Sequence, residues 1–214
     1  MGVSEKTIAA NGVVVITGSA DKSTKMWQIV MNKKTGILKL KEIRALSQPE
    51  EIHCAKFSPD GKFYAIAFID ATMKVFFADS DKLFLTMYGH NLPVLSFDIS
   101  SDGALLVSGS ADKTVKLWGM DFGNCKRSLF AHQESVMAVS FVKDTHYFFS
   151  IGRDKIVKYW DGDTYELILE FENNLGEVWA LAISSIGDYF VTASNDKSIR
   201  FFEQTKDQVF LVEE

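Results

Sequence analysis

Two groups of side chains in this sequence have the composition of a hydrolytic active site. Each group holds a histidine, a serine 18 residues later and an aspartate four residues after the serine: His90, Ser108 and Asp112, then His132, Ser150 and Asp154. In serine hydrolases such a set performs acyl transfer, because the histidine accepts the proton of the serine that attacks the carbonyl. The first interpretation to test is therefore a catalytic triad.

The same residues also fit a purely structural hydrogen-bond chain. The aspartate would hold the histidine, and the serine would satisfy the other ring nitrogen. A tryptophan six residues after the aspartate, Trp118 or Trp160, would close the network with its indole N–H. The set recurs at a fixed spacing, and neither serine lies in a Gly-x-Ser-x-Gly elbow. We therefore interpret both groups as structural tetrads and predict that the protein is not an enzyme.

The aspartates belong to a repeat that runs through the chain. Asp70, Asp112, Asp154 and Asp196 follow at intervals of 42 residues, and Asp21 precedes the first of them by 49. A large aromatic residue stands six positions after each aspartate: Trp27, Phe76, Trp118, Trp160 and Phe202. A period of about 40 to 45 with an Asp-to-Trp ending is typical of four-stranded propeller blades. The repeat thus predicts an all-β fold.

One repeat, residues 90–130, divides into four β-forming segments separated by turn residues. Its first two segments are almost entirely apolar, as expected of strands that neighbouring blades cover on both faces. The same division fits five times along the chain. We predict a single propeller segment over residues 1–214, with five four-stranded antiparallel blades at about 3–46, 47–88, 89–130, 131–172 and 173–214.

The first repeat is seven residues longer than the others. The additional residues fall between Trp27 and Ile52, where the third and fourth strands of the first blade belong. The sequence predicts a lengthened hairpin, with strands over residues 28–31 and 37–40 and a turn over residues 32–36.

Composition and charge limit the classes of function. The chain of 214 residues is 47% hydrophobic with 17 phenylalanines, enough for a sizeable core. Its net charge of −5 argues against a protein that coats nucleic acid through bulk charge. Two cysteines, Cys54 and Cys125, are too few for a disulfide framework and suggest a reducing compartment.

Other site signals are weak. His53 and Cys54 are adjacent but lack a second cluster at metal-ligand spacing, so we predict no metal site. No Gly-x-x-x-x-Gly-Lys phosphate loop occurs, and we predict no cofactor and no small-molecule substrate. No apolar stretch approaches the 18 or so residues of a membrane span, so we predict no membrane partner.

A basic residue follows each repeat aspartate by four positions: Lys25, Lys74, Lys116, Lys158 and Arg200. One interpretation is a row of phosphate-binding side chains. The other is that the stems cover the aromatic ring two residues further along the strand, with some cation–π attraction.

A partner-binding surface is predicted where two kinds of loop open on the same end of the propeller, here called the loop end. These are the loop before the first strand of each blade and the turn between its second and third strands. The candidate partner-binding residues there are Leu95, Met137, Arg153, Trp179 and Asn195. Tryptophan, methionine and arginine are enriched at interfaces, and an arginine can bind a carboxylate or phosphate bidentately. The alternative is that Trp179 merely fills the space between two blades.

The repeat resembles the WD-repeat family. The resemblance rests on Gly89-His90, Ser108 and the run from Asp112 to Trp118, and it is weaker in blades 2 and 5, where tryptophan and histidine are replaced. Members of this family are non-enzymatic platforms that hold several partners. The resemblance also implies a larger propeller of about seven blades, of which this chain would be a part.

A closer resemblance is carried by segments that are unusual for generic repeats: residues 118–123, 128–132, 135–137, 187–189 and 194–200. Together they are similar to the second propeller of the tandem-propeller WD-repeat subunit of the UTP-B complex, in the small-subunit processome. This resemblance implies a scaffold of a pre-ribosomal ribonucleoprotein in the nucleolus of the nucleus. The role that the resemblance implies is support of ribosomal RNA processing and small-subunit biogenesis. The partners that it implies are other protein subunits and, directly or indirectly, pre-ribosomal RNA and small nucleolar RNA.

A generic WD-repeat adaptor is the alternative function, for example a substrate receptor of a ubiquitin ligase or a signalling scaffold. Five blades also raise a physical question, since propellers of this repeat usually close with about seven blades, within a range of 4 to 8. We expect an open arc whose first and last blades present apolar faces and cause self-association, or else an unusually small ring.

Overall fold

The computed structural model describes residues 3–9, 12–32, 36–172 and 175–204. Within these ranges every regular element is a β-strand, and the strands form five antiparallel sheets, here called blades 1 to 5. In each blade the strands lie side by side in chain order, so that the first strand is innermost and the last is an outer edge.

Blade 1 consists of β1 (Val3–Ala9), β2 (Gly12–Gly18), β3 (Ser23–Met31) and β4 (Leu38–Ser47). Blade 2 consists of β5 (Ile52–Phe57), β6 (Phe63–Phe68), β7 (Met73–Phe77) and β8 (Leu83–Met87). Blade 3 consists of β9 (Val94–Ile99), β10 (Leu105–Ser110), β11 (Thr114–Gly119) and β12 (Cys125–Phe130). Blade 4 consists of β13 (Val136–Phe141), β14 (Tyr147–Gly152), β15 (Val157–Asp161) and β16 (Leu167–Phe171). Blade 5 contains β17 (Val178–Ile183), β18 (Tyr189–Ser194) and β19 (Ile199–Glu203).

The predicted all-β propeller of five antiparallel blades is confirmed. Blades 1 to 4 have the four expected strands, and the fourth strand expected in blade 5 falls in residues 205–214, outside the described ranges. The lengthened hairpin of blade 1 is also confirmed, because β3 and β4 have nine and ten residues where the matching strands of blades 2 to 4 have five or six. The division of residues 1–214 into five repeats remains a prediction.

Neighbouring blades pack face to face, with the innermost strands in the order β1, β5, β9, β13 and β17. At a junction, residues three and five positions after the aspartate of one blade meet the aromatic residue of the next blade. Val115 and Leu117 of blade 3, for example, share a buried cluster with Trp160 of blade 4. Full burial of such a side chain stabilises the fold by about 1.5–3 kcal/mol, so each blade depends on its neighbours.

Polar groups also join the innermost strands. Lys56 Nζ of β5 lies 2.8 Å from Oδ1 of Asp98 in β9. The other oxygen of Asp98 accepts hydrogen bonds from the backbone N–H of Phe141 and from Ser140 Oγ, both in β13, at 2.8 and 3.1 Å. Asp98 and Lys56 are both largely buried. One carboxylate therefore links blades 2, 3 and 4.

The face of blade 5 that points away from blade 4 is much more exposed to solvent than the matching face of blade 3. Ile199 and Phe201 occupy the positions of the buried Val115 and Leu117, yet they are 66% and 75% exposed. Tyr189 lies on the same face and is also exposed. A closed five-bladed ring would bury these side chains, so the exposure is consistent with a segment of a larger propeller.

We predict that the isolated chain self-associates through this face of blade 5, because apolar patches of several hundred Å² rarely remain exposed on a monomer. Replacing Ile199 and Phe201 together by glutamate should shift the chain towards the monomer in sedimentation velocity. Phe122→Glu, at an exposed aromatic residue on the β11–β12 turn, is the matched control and should leave the distribution unchanged. An unsubstituted chain that is monomeric at high concentration would contradict the prediction.

Candidate interaction site and the buried polar networks

The tetrad of blade 3 forms one continuous hydrogen-bond chain. His90 Nδ1 lies 2.9 Å from Asp112 Oδ2, and because an ionised carboxylate only accepts, the histidine donates. His90 Nε2 lies 2.8 Å from Ser108 Oγ, and the indole N–H of Trp118 donates to the same hydroxyl oxygen at 2.8 Å. The sequence therefore brings together strand residues of β10 and β11 and a loop histidine that precedes β9.

Blade 4 repeats this arrangement with nearly the same distances. His132 Nδ1 lies 3.0 Å from Asp154 Oδ1, His132 Nε2 lies 2.8 Å from Ser150 Oγ, and Trp160 Nε1 donates to Ser150 Oγ at 2.9 Å. The serines of both tetrads are fully buried, and so are the histidine side chains. A substrate carbonyl could not reach either hydroxyl, so the geometry favours a structural role over acyl transfer.

Each tetrad aspartate also fixes the loop that carries its histidine. The backbone N–H of Asn91 donates to Asp112 Oδ2 at 3.0 Å, and that of Gln133 donates to Asp154 Oδ2 at 2.9 Å. Burial alone would raise the pKa of Asp112, but the hydrogen bonds from His90, Thr114 and Asn91 outweigh it and hold the pKa far below its usual value. The charged carboxylate is thus the stable form, and it ties the loop end to the blade.

Blades 1, 2 and 5 retain only parts of the network. In blade 1 the indole N–H of Trp27 donates to Thr17 Oγ1 at 2.9 Å. In blade 5 the buried hydroxyl of Thr192 has no hydrogen-bond partner among the described residues, and Phe202 instead stacks on Phe190 at 4.5 Å between ring centroids. Blade 2 replaces the network by packing: its position for the serine is the buried Ile66, and Phe76 stacks on Tyr64 at 5.2 Å.

The repeat aspartate has a second role, which sequence reasoning missed. In every blade it accepts a hydrogen bond from the backbone N–H two residues later, at 2.9–3.3 Å: Asp21 from Ser23, Asp70 from Thr72, Asp112 from Thr114, Asp154 from Ile156 and Asp196 from Ser198. The residue between them has a positive φ of 65–73° in each turn: Lys22, Ala71, Lys113, Lys155 and Lys197. An aspartate in this turn stabilises a backbone conformation that non-glycine residues adopt at a cost. This explains why the aspartate is present even in blades that lack the histidine.

Three of the five candidate partner-binding residues meet at Glu177 on the loop end. The guanidinium of Arg153 donates through Nη2 to Glu177 Oε1 at 2.9 Å, and Trp179 Nε1 donates to Glu177 Oε2 at 3.0 Å. The backbone N–H of Asn195 donates to the backbone oxygen of Glu177 at 2.9 Å. Hydrogen bonding to Arg153 and Trp179 lowers the pKa of Glu177. We call Arg153, Glu177 and Trp179 the Trp179 cluster.

Trp179 is 55% exposed and its indole nitrogen is held by Glu177, so the ring does not fill the space between blades 4 and 5. Arg153 is paired within the chain, which leaves its remaining guanidinium donors for a partner. Met137 is half-buried and packs against the apolar cluster between blades 4 and 5, and Leu95 is also half-buried. These two residues therefore offer less surface to a partner than the Trp179 cluster does.

The row of basic residues has partners inside the chain. Lys25 and Lys158 form ion pairs with Glu42 and Glu170, and Arg200 pairs with Asp196. Lys116 Nζ donates to Ser128 Oγ, and Lys74 lies over the ring of Phe68. Lys25 also lies over its expected ring, Trp27, at 5.7 Å from the centroid. These contacts favour a structural role for the row over phosphate binding.

Two kinds of site have no structural support in the described part of the chain. There, no three or more histidine, cysteine, aspartate or glutamate side chains are grouped so that they could hold a metal ion. The same residues include no helix with the length and apolar character of a membrane span.

His146 links the loops of blades 3 and 4, and sequence reasoning missed it because it is outside the repeat pattern. Its Nδ1 lies 2.7 Å from Asp163 Oδ1, and its Nε2 lies 3.0 Å from Asp102 Oδ2. Burial alone would lower the pKa of His146, but the hydrogen bonds and charges of Asp163 and Asp102 outweigh it and raise the pKa above 6.5. The charged imidazolium is thus favoured between two carboxylates.

Comparisons with known proteins agree with the β-propeller fold. A family model described as the second β-propeller domain of WDR3 matches residues 2–209. The chain is 46% identical over 100 residues to U3 small nucleolar RNA-associated protein 12 of Saccharomyces cerevisiae, a match over 42% of this chain and 11% of that protein. It is 46% identical over 83 residues to human WD repeat-containing protein 3, over 37% of this chain and 9% of that protein. The Dictyostelium discoideum homologue of WD repeat-containing protein 3 is 44% identical over 86 residues, a match over 38% of this chain and 9% of that protein. The matches span about a tenth of the length of these relatives.

The tetrad of blade 3 should contribute measurably to stability. Asp112→Ala leaves the buried His90 without its partner and should cost about 1–3 kcal/mol. Trp118→Ala should cost about 3–5 kcal/mol through lost packing, because the indole is fully buried. Asp70→Ala is the control, since Asp70 makes the same turn without a histidine, and it should cost less than Asp112→Ala. Equal urea midpoints for all three variants and the parent would contradict the structural tetrad.

The His146 bridge should make stability depend on pH. Since its pKa is higher in the folded chain than in the unfolded one, the stabilisation is fully present below about pH 6.5 and is lost as the pH rises through the folded-state pKa. We expect His146→Gln to lower stability by up to about 1 kcal/mol at pH 6 and by less at pH 8. His53→Gln, at an exposed histidine of β5, is the control for melting curves at both pH values. A difference that does not vary with pH would refute the bridge.

Proposed function

Since this chain belongs to the family of WDR3 second β-propeller domains, we propose that it is a rigid, non-catalytic interaction platform within the small-subunit processome. In this role it supports ribosomal RNA processing and small-subunit biogenesis in the nucleolus. The observation that carries the proposal is the Trp179 cluster: an exposed indole and an arginine, both held by one glutamate, on the loop end of a propeller. Buried tetrads fix two further loops of this end, those before β9 and β13.

The physical basis of a platform is rigidity at the binding surface. Asp112 and Asp154 fix the loops before β9 and β13 through side-chain and backbone hydrogen bonds. A loop end that is ordered before binding loses little conformational entropy when a partner binds. Glu177 likewise fixes the orientation of the Trp179 ring before binding, since one of its carboxylate oxygens accepts from the indole N–H and the other from Arg153.

We propose that the direct partners at the loop end are protein subunits. The name of the yeast relative associates that protein with U3 small nucleolar RNA, and we propose that the present chain reaches such RNA through its complex. A net charge of −5 supports contacts to proteins rather than to phosphates. A ubiquitin-ligase receptor or signalling scaffold is the alternative, and it predicts stable complexes without RNA outside the nucleolus.

The test is the double substitution Trp179→Ala with Arg153→Ala in the full-length parent protein. We expect the variant to lose association with its complex, measured by affinity purification with identification of RNA and protein. Its melting temperature should change little, because both side chains lie at the surface. The matched control is Phe122→Ala with Lys126→Ala, another exposed aromatic residue and cation on the β11–β12 side of blade 3.

Three outcomes separate the interpretations. Normal assembly of a stable double variant would place the binding surface elsewhere. A large fall in its melting temperature would assign Trp179 to the core. Recovery of an RNA-free complex by the unsubstituted protein would favour the adaptor function.

A further inference from the structure

The hairpin of β3 and β4 extends further than the matching hairpins of blades 2, 3 and 4. In blades 2, 3 and 4 the outer strand begins opposite the aromatic residue of the third strand, in the pairs Phe76–Leu83, Trp118–Cys125 and Trp160–Leu167. In blade 1 the equivalent pair is Trp27–Glu42, and four further pairs follow it: Gln28–Lys41, Ile29–Leu40, Val30–Lys39 and Met31–Leu38. These four pairs are here called the hairpin extension.

The two faces of the hairpin extension differ in chemistry. Because side chains alternate along a strand, Met31, Leu38 and Leu40 share one face, and Lys39 and Lys41 share the other. The three apolar side chains are 59%, 64% and 61% exposed, and both lysines are exposed as well. The extension therefore presents exposed apolar side chains on one face and two exposed lysines on the opposite face.

The charge of this segment is opposite to that of the whole chain. Residues 28–41 contain four lysines and no aspartate or glutamate, whereas the chain carries a net charge of −5. The nearest acidic residue, Glu42, is paired with Lys25 at 3.1 Å. Within the described residues no ion pair involves Lys39 or Lys41, so their charges face solvent.

The outer edge of β4 is also open. It is the last strand of its sheet and, with ten residues, the longest strand of the described chain. An edge strand presents unpaired backbone N–H and C=O groups, to which an extended segment can add as a further strand. In such an addition, side chains of the incoming strand stand opposite those of β4 and about 5 Å from them.

We propose that the edge of β4 in the hairpin extension is a docking site for an extended segment of a partner protein in which acidic and apolar residues alternate. Carboxylates of this segment stand opposite Lys39 and Lys41, and its apolar side chains cover Leu38 and Leu40. Main-chain hydrogen bonds hold the segment, and the charge pattern selects it. The proposal does not depend on the function proposed for the loop end.

The observations favour this occupant over two others. A second copy of β4 would place lysines opposite lysines, and like charges directly opposite destabilise a strand pair. An RNA strand would satisfy the lysines, but the exposed aliphatic side chains gain nothing from a phosphate backbone. The four added pairs also carry no aromatic ring on which a base could stack.

The test uses three labelled probes in fluorescence anisotropy: a capped peptide of alternating Glu and Leu, its counterpart with Lys for Glu, and an oligouridine RNA. The unsubstituted chain should bind the Glu-Leu peptide with an affinity that falls as salt rises. Lys39→Glu with Lys41→Glu should weaken this binding by about tenfold or more and create binding of the Lys-Leu peptide. Lys82→Glu with Lys126→Glu, two exposed lysines on other blades, changes the net charge equally and should have no effect.

A second measurement tests strand addition itself. Methylation of alternate backbone nitrogens of the Glu-Leu peptide removes donors without changing its charge, and it should abolish binding. Absence of peptide binding, or binding that the Lys39 and Lys41 substitutions leave intact, would overturn the proposal. Binding of the RNA alone, with loss in the same double variant, would replace it by a phosphate site.

Discussion

The packing of each blade between two others is the constraint on which this structure depends. A blade is apolar on both faces, so it is stable only when a neighbour covers each face. Val115, Leu117 and Trp160 show how one junction meets this requirement, with side chains of two blades in a single cluster. The exposure of Ile199 and Phe201 follows from the same rule, since they are equivalent residues whose neighbour is not supplied by the described chain. Propellers built from such units therefore behave as repeats with nearest-neighbour coupling.

The polar networks lie between these apolar contacts and hold loops at the loop end in place. The tetrads bring a buried charge, a histidine and an indole into a chain in which each member satisfies the next, as buried polar groups require. Their aspartates hold loops as well as histidines, which fixes the parts of the loop end that precede β9 and β13. The serine and histidine have the residue types of a hydrolase, but they are buried and bonded to each other and to tryptophan, so the same residues that suggest chemistry provide rigidity.

Much of this architecture could be predicted from the sequence, because repetition reveals what every blade shares. The 42-residue spacing of Asp70, Asp112, Asp154 and Asp196 predicts the blades, and the longer first repeat predicts the hairpin of β3 and β4. Features that occur once leave no periodic signal. The bridge of His146 between Asp102 and Asp163, and the role of Glu177 as the common partner of Arg153 and Trp179, depend on how loops of two blades approach each other. The position of each aspartate in a turn was predicted, but its hydrogen bond to the backbone N–H two residues later was missed, because the periodic signal was assigned to the histidine alone.

The carboxylate of Asp98 gives the chain an order of opening. It binds groups on β5 and β13 at once in a largely buried setting, so blades 2, 3 and 4 cannot part without stranding a charge. The ion pairs Arg44–Asp81 and Arg153–Glu177, which join blades 1 and 5 to this body, are more exposed to solvent and therefore easier to break. Local unfolding should accordingly begin at blades 1 and 5. The backbone amides of β9 should then be the last to exchange their hydrogens with water. The middle of the chain is thus its most stable part, while the outer blades retain the freedom to adjust to neighbouring surfaces.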